Sequence, residues 1–303
     1  MTTIRARSNQ WYIFINFVSK VLINLVLLAI SLACLLPFLV IVSASLTNEE
    51  AIGKYGYPII PKVIDPLAYK FIFADPSRII RAYSVSSLVT ITGASIGMLF
   101  MSMAAYALSR RQFALRQPIA FYIFFTMLFN GGLVPSYILI TQYLKLQNTI
   151  WVLIIPGLIN GWHILILRTF FQDLPSELLD AAKIDGASEW RIFFQIAIPL
   201  TTPGLATIGL FTMLRYWNDW YTALLYIDKD VLYPIQYLLY TMMRSIEWLQ
   251  MGQQANVMEE SVRVPILPAR MAMTVLAIGP MAFGYLFVQK YFIRGIRLGA
   301  IKG

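Results

Sequence analysis

Along this 303-residue chain, six long runs of apolar positions alternate with shorter polar segments. A helix crossing a bilayer needs about 20 predominantly apolar residues, and the runs Val21–Ser45, Tyr83–Leu108, Pro118–Thr141, Thr149–Phe171, Ile198–Ile227 and Ala269–Phe292 each meet that length. A shorter apolar stretch, Trp11–Val18, cannot span and predicts a helix lying in the membrane interface before the first span. Pro234–Met251 is also rich in apolar residues but carries Arg244 and Glu247 in its middle. A charge at the centre of a spanning helix costs about 2.5–3.5 kcal/mol on insertion scales, so this stretch is expected as an external surface helix. The pattern divides the chain into an N-terminal segment (1–20), a six-span domain (21–292) with long connections at 172–197 and 228–268, and a C-terminal tail (293–303).

Composition agrees. Hydrophobic residues make up 58% and charged residues 13%, against about 25% charge in an ordinary soluble domain, and mean hydropathy is +0.67. A soluble, disordered or disulfide-stapled chain is excluded. The one cysteine, Cys34, sits within the first span and carries no information about redox compartment. That span is too long and too far from the start for a signal peptide, and is expected to stay. The net charge of +9 needs no nucleic acid to explain it. With both termini inside the cell, the cytoplasmic segments carry 13 basic residues and the external ones 9, and the loop Ser109–Gln117 holds three arginines and no acid. This is the sense of the positive-inside bias.

Much chemistry is missing. No phosphate-cradling G-x-x-x-x-G-K-[ST] segment occurs, so nucleotide would have to be bound by another chain. One histidine and one cysteine cannot build a structural zinc site, and there is no nucleophile elbow and no close carboxylate pair within the spans to mark an enzyme. His163, in the fourth run, reads as a buried side chain bonded to a neighbouring helix. Of 15 acidic residues only Asp219 falls within a predicted span, near its outer end. Ion-coupled transporters place ionisable groups near the midplane. Their scarcity leaves a transporter energised by another subunit, a passive pore, or a scaffold.

The connection between the fourth and fifth runs is the informative one. Pro175 suits the first turn of a helix, and Glu177 and Asp180 lie where its dipole favours anions. Leu178, Ala181 and Ala182 share a face by helical spacing. Gly186 then permits a turn into left-handed backbone. A second short helix follows, with Trp190, Phe193 and Phe194 expected on one side, before Pro199 opens the fifth run. The pattern alone fits a docking element and a connector packed on its own bundle equally well.

The same residues resemble the EAA loop of ABC-importer permeases: E-A-A, three residues, Gly, nine residues, then I-x-L-P. Here Asp180-Ala181-Ala182 is followed at those spacings by Gly186 and by Ile196-Ala197-Ile198-Pro199, with Asp in place of Glu and Ile in place of Leu. Phe129-Asn130-Gly131-Gly132-Leu133-Val134-Pro135, Asn148-Thr149-Ile150-Trp151, Tyr216-Trp217-Asn218-Asp219-Trp220 and the tail Gly299–Gly303 are similar to maltose-type carbohydrate permeases, and more narrowly to the LplC/YtcP/YesQ branch associated with oligosaccharide uptake. The resemblance implies an all-α, six-span type I importer permease with a cytoplasmic coupling helix, in a bacterial cell membrane. It implies coupling contacts to the ATPase from Glu177, Asp180, Ala181, Ala182, Asp185, Gly186, Ala187 and Phe193. It also implies a second, different permease, two ATPase subunits that bind the ATP and Mg, and an extracytoplasmic binding protein that delivers sugar. No cofactor or metal is expected in this chain.

Other features stay open between two readings. Gly93 and Gly97 point to close helix packing. Asn130-Gly131-Gly132 with Pro135 interrupts the third run, as a solute-path break or as a tolerated kink. Tyr216, Trp217, Asn218, Asp219 and Trp220 form either an interfacial aromatic belt or a platform and gate for sugar, with Asn218 and Asp219 the harder ones to explain as belt. The resemblance to maltose-type permeases implies that the long external loop faces the binding protein and that a stretch of it reaches in, and Gly252–Glu260 is polar enough to be that stretch. The basic tail (Arg294, Arg297, Lys302) either reaches the ATPase or anchors on anionic lipid. An importer of peptides, amino acids or anions is the rival within the class, a channel or secondary transporter the rival outside it. A path with Arg215 as its one candidate cation favours a neutral solute.

Overall fold

The computed structural model describes the backbone of residues 2–254 and 265–300. Among the described residues the chain is helical, with a single isolated bridge between Thr47 and Ile64 and no strand. It divides into two units, residues 1–74 with 250–276 and residues 75–249 with 277–303.

The first unit opens on α1 (Thr2–Ser45). This helix joins the expected interfacial segment Trp11–Val18 to the first span without a break, because no glycine or proline interrupts the chain before Pro37. Its apolar side chains from Phe17 to Leu39 are all exposed, and only its last turn, Ser43 to Ser45, is buried. Two short helices follow, α2 (Glu49–Tyr55) and α3 (Leu67–Ile72). The Asn48 side chain accepts from the Glu50 N–H at 2.9 Å and donates to Asp65 at 2.9 Å, while Asp65 accepts from the Leu67 N–H at 3.0 Å. One pair of side chains thus caps both helices. Glu49 accepts the backbone N–H of Leu267 at 3.0 Å, a carboxylate on the first turn of the chain's last helix.

The second unit is built along α4 (Pro76–Ser109), started by Pro76 and capped by the Asp75 carboxylate, which accepts from the Ser77 and Arg78 N–H groups. In order there follow α5 (Arg116–Leu128), α6 (Leu133–Ile138, continued as a π turn to Tyr143), α7 (Trp151–Ile154), α8 (Gly161–Gln172), α9 (Ser176–Ile184), α10 (Glu189–Ile192), α11 (Ile198–Leu200), α12 (Thr202–Trp217), α13 (Tyr221–Tyr226), α14 (Ile235–Gln254) and α15 (Ile266–Ala300). α4 packs mainly against α8 and α12. Its two glycines make this possible. A β-carbon on Gly93 would lie 2.5 Å from the Tyr216 ring, and one on Gly97 would lie 2.8 Å from the Leu158 carbonyl oxygen. The close packing expected of this pair is what the structure holds.

Three helices cross-check as single spans: Phe17–Ser45, Pro76–Ser109 and Ile266–Leu286. The other three expected spans are bent pairs, so the count reaches six with each pair taken as one. The third bends by 109° between Leu128 and Leu133, where Gly132 takes φ +86°. The fourth bends by 52° between Gly157 and Gly161. The fifth departs from the expected Ile198–Ile227. It turns by 83° at Thr201, between Pro199 and Pro203, and its helix stops at Trp217. α14 forms where the external helix was expected, its first N–H (Ile235) bonded to the Ser86 hydroxyl of α4 at 2.8 Å, with Leu238, Leu239 and Ile246 buried and Arg244 exposed.

Two apolar cores lie along α4. One gathers Val85, Val89 and Ala94 with Val152–Ile154, Tyr216, Ala223 and Tyr226. The other gathers Met101, Ala105 and Tyr106 with Leu167, Phe171, Leu179, Ile192 and Phe193. Between them, His163 is buried with its Nδ1 3.2 Å from the Thr212 hydroxyl of α12, the interhelical partner its sequence position suggested.

Candidate functional site

At one end of α4 the loop 172–197 folds as helix, turn, helix. Pro175 precedes α9, Glu177 sits in its first turn and Lys183 in its last. The Asp185 and Ala187 N–H groups donate to the Ala181 and Ala182 carbonyls at 3.0 and 2.9 Å, and Gly186 adopts φ +79°. This is the helix end that glycine permits and other residues resist. Ser188 then caps α10, accepting from the Arg191 N–H.

Exposure sorts the expected coupling residues. Glu177, Asp180, Ala181, Asp185 and Gly186 are exposed, beside Leu178 and Ile184, the latter at 87%. Ala182 and Ala187 are half-buried against the second core, and Leu179 anchors α9 at 3% exposure. So Leu178 and Ala181 share the outward face, and Ala182 turns inward. Phe193 is the clear correction. It is 2% exposed, inside the core against Tyr106 and Phe171 with ring centroids 5.2 and 6.3 Å away. Ile192, Phe193, Ile196 and Ala197 form an i, i+1, i+4, i+5 stripe, and burying it rotates Trp190 and Phe194 out, where they stack at 6.1 Å. Phe193 therefore fixes α10 from beneath and presents nothing to a partner.

Sequence reasoning missed the polar groups that fasten this loop. The Lys183 ammonium lies 2.6 Å from Glu189 and donates to Gln112 at 2.9 Å, and Tyr106 of α4 donates its hydroxyl to the other Glu189 oxygen at 3.1 Å. Partial burial pushes the Glu189 pKa up, but hydrogen bonds from Lys183 and Tyr106 and the charges of Lys183 and Arg110 outweigh it and hold the carboxyl below its ordinary value. The only signal in the sequence was opposite charge on either side of Gly186. Beneath Trp190 lies a cavity of about 450 Å³ walled mainly by Met103, Tyr106, Ala107, Phe113 and Phe193.

The second candidate region is the break after α12. Tyr216 and Trp217 are buried, at 5% and 4%. The Tyr216 hydroxyl donates to the Ile154 carbonyl at 2.8 Å and the Trp217 ring N–H to the Ala277 carbonyl at 2.9 Å. Trp217 is framework, which corrects its expected place on a solute path; Tyr216 is fastened in the same way but keeps part of its surface on a cavity wall. Asn218 and Trp220 are exposed and Asp219 is half-exposed. Asn218 donates to the Leu214 carbonyl at 2.9 Å, closing α12, and Asp219 accepts from the N–H and hydroxyl of Thr222 at 3.0 and 2.6 Å, opening α13. A cavity of about 630 Å³ lies against them, lined by Gly157, Arg215, Asn218, Asp219 and Thr222. Arg215 donates to the Gly157 carbonyl and lies over the Tyr216 ring. Trp220 stacks on Tyr240 of α14 at 4.6 Å. Asn148, at φ +58°, exchanges two hydrogen bonds with Asp228 at 2.7 and 2.9 Å and so ties the start of α7 to the segment after α13. Asn130, exposed, accepts the Gly132 N–H at 2.9 Å and shapes the bend between α5 and α6, well apart in sequence from this cavity and not among its lining residues.

No group of three or more His, Cys, Asp or Glu able to hold a metal occurs among the described residues. Residues 255–260 of the expected Gly252–Glu260 stretch, and Lys302 of the tail, lie outside the described residues.

Comparison with known proteins adds identity to geometry. The family model for the binding-protein-dependent transport system inner membrane component matches residues 12–298. The polygalacturonan/rhamnogalacturonan transport system permease protein YtcP of Bacillus subtilis is 39% identical over 279 residues, covering 91% of this chain and 96% of the relative. Protein LplC of the same organism is 36% identical over 271 residues, 89% of this chain and 90% of LplC. A crystal structure of a bacterial ABC transporter involved in the import of the acidic polysaccharide alginate contains a chain with TM-score 0.75 and 28% identity, covering 89% of this chain and 95% of that one. With its six apolar crossings and an exposed EAA-type loop, the chain belongs to the binding-protein-dependent transport system inner membrane component family, and is a multi-pass permease subunit of an ABC transporter rather than an enzyme.

Proposed function

We propose that this chain forms one half of the membrane pathway of an importer that takes up oligosaccharides handed over by an extracytoplasmic binding protein. A second, different permease completes the pathway, and two cytoplasmic ATPase subunits, which bind the ATP and Mg, grip one coupling loop from each half. Both termini face the cytoplasm. The observation that carries the reading is the α9 turn: Glu177, Asp180, Ala181, Asp185 and Gly186 stand exposed at EAA spacing on a short helix held from below by Leu179. A docking element must be free on one face and fixed on the other, and this one is both. ATP binding draws the two loops together, and the permease pair switches between two packed arrangements.

Two supports bear on the solute. The relatives' names are those of carbohydrate transport permeases, including the arabinooligosaccharides permease AraQ. The cavity at the α12–α13 break offers donors from Arg215 and Asn218 and acceptors from Asp219 beside the Tyr216 ring, a mixture suited to hydroxyls on an apolar sugar face.

The test is gentle extraction of the chain from its native membrane, followed by mass spectrometry of whatever stays bound. An ATPase, a second permease and a binding protein in fixed ratio support the proposal, and the oligosaccharide on that binding protein names the solute. A binding protein loaded with peptide or amino acid replaces the sugar reading. A chain that moves solute in proteoliposomes without any ATPase overturns the docking reading itself.

A further inference from the structure

The docking helix is fastened to the membrane bundle at very few points. α9 has nine residues, of which only Leu179 is fully buried. α10 rests on Ile192 and Phe193, but on the Trp190 side the core gives way to the cavity of about 450 Å³, so packing does not hold it there. Across that gap runs a polar clasp. One Glu189 oxygen meets Lys183 at 2.6 Å, joining α10 to the last turn of α9 across the Gly186 turn. The other accepts from Tyr106 at 3.1 Å, joining both to α4. Lys183 reaches on to Gln112 in the α4–α5 connection at 2.9 Å, and Arg110 stands over the Tyr106 ring at 5.6 Å. The charged and titratable groups around Glu189 are therefore Lys183 from α9 and Tyr106 and Arg110 from the α4 end.

α4 carries the connection further. It is a single unbroken helix from Pro76 to Ser109, and Gly93 sits directly against the Tyr216 ring, part of which lines the cavity shared by Arg215, Asn218 and Asp219. A rigid helix held at one end by Glu189 and in contact at mid-length, through Gly93, with the Tyr216 ring at the cavity wall can pass a displacement along that half of its length. A loop docked on its ATPase but loose on α4 could not.

We propose that Glu189 is a positioning residue for coupled transport: its carboxylate, held between Lys183 and Tyr106, locks the docking helix to α4 so that motion of the ATPase reaches the solute cavity. This rests on the docking reading above and adds to it a separate step, transmission after docking.

The test uses the complete importer, reconstituted with its ATPase and binding protein, and reads three quantities: ATPase bound per permease, ATP hydrolysed, and solute imported per ATP. E189A is expected to keep the ATPase bound in the normal ratio and to lower solute imported per ATP by about tenfold, within the range over which coupling residues act. E189Q, which keeps the shape but loses the charge, loses less, and Y106F, which breaks one arm alone, loses less again. K183M alone lowers the ratio, and adding it to E189A makes little further difference, because both remove the same contact. Three results overturn the proposal: an unchanged import-to-ATP ratio in both E189A and Y106F; transport lost only in proportion to lost ATPase binding, which marks a docking or folding role; and fully additive effects of K183M and E189A. Should E189A fail to assemble, Y106F and K183M carry the same test. Failure of the docking reading shows earlier and separately, as no ATPase bound to the unsubstituted chain.

Discussion

The two ends of α4 arrange their residues in opposite ways. At the α9 end, Asp180, Ala181 and Gly186 of the linear motif lie outside, while Ala182, Ile196 and Ile198 of the same motif turn toward the core built by Leu179, Phe193 and Tyr106. At the α13 end, the conspicuous aromatics Tyr216 and Trp217 are inside, bonded to the Ile154 and Ala277 carbonyls, and the small polar residues that interrupt the helix line the open space. A motif with fixed spacing combines positions left free for a partner with positions that fasten the loop beneath them. A cluster of large side chains marks first of all what packs.

Five substitutions or conditions probe that contrast. The largest effect is expected from Gly186→Asp. Left-handed backbone costs a residue with a β-carbon about 1–2 kcal/mol, and the new carboxylate points into open space on the docking face, since nothing lies within 4 Å of a β-carbon there. Membrane yield should stay normal while ATPase co-purification drops more than about tenfold, a factor of ten being about 1.4 kcal/mol; normal co-purification would remove the turn from the docking surface. Next comes Gly93→Val. The added carbon meets the Tyr216 ring, and overpacking of this kind costs about 1–3 kcal/mol. The midpoint of thermal unfolding in detergent should fall, and an unchanged midpoint would mean that α4 and α12 can part without cost. A smaller pair of effects separates framework from path at the α13 end. Trp217→Phe removes one hydrogen bond and should lower stability by about 0.5–1.5 kcal/mol while leaving uptake per folded transporter intact. Asp219→Asn keeps an acceptor for the Thr222 N–H but loses the short hydroxyl contact, and should cut uptake per folded transporter several-fold on top of a modest fall in the midpoint. If the two variants behave alike, the cavity has been misassigned. The smallest effect is pH dependence at the α9 end. The Glu189 pKa is held below its ordinary 4.5 in the folded chain, so its contribution to stability is complete above 4.5 and disappears as pH falls through the depressed value. Limited proteolysis within residues 176–192 should therefore quicken only in that acid window, and E189Q should abolish the dependence.

Much of this architecture was legible in the order of residues. Six apolar runs correspond to three single helices and three bent pairs, Gly186 gave the turn, Asn130-Gly131-Gly132 gave the bend in the third run, and the charges at Arg244 and Glu247 kept α14 from reading as a seventh. The bends at Thr201 and after Gly157 were not seen, because hydropathy averages over a window and does not register direction. Pro199 and Pro203 were there to be read, but a proline near a span end signals a start as readily as a corner. Phe193 was misplaced for a related reason: Trp190, Phe193 and Phe194 are all apolar, and only the neighbours Ile192, Ile196 and Ala197 reveal which side of the helix is wide enough to be the core. The Glu189 clasp was out of reach. Tyr106 lies 83 positions away, and nothing local to either residue announces the other.

The first helix separates two demands that most sequences must meet at once. Its side chains from Phe17 to Leu39 are exposed, and only the turn at Ser43–Ser45 is enclosed. The choice among apolar residue types along that exposed stretch answers to its surroundings, lipid or neighbour, and a variant there that harms uptake while preserving insertion would report on who stands beside it.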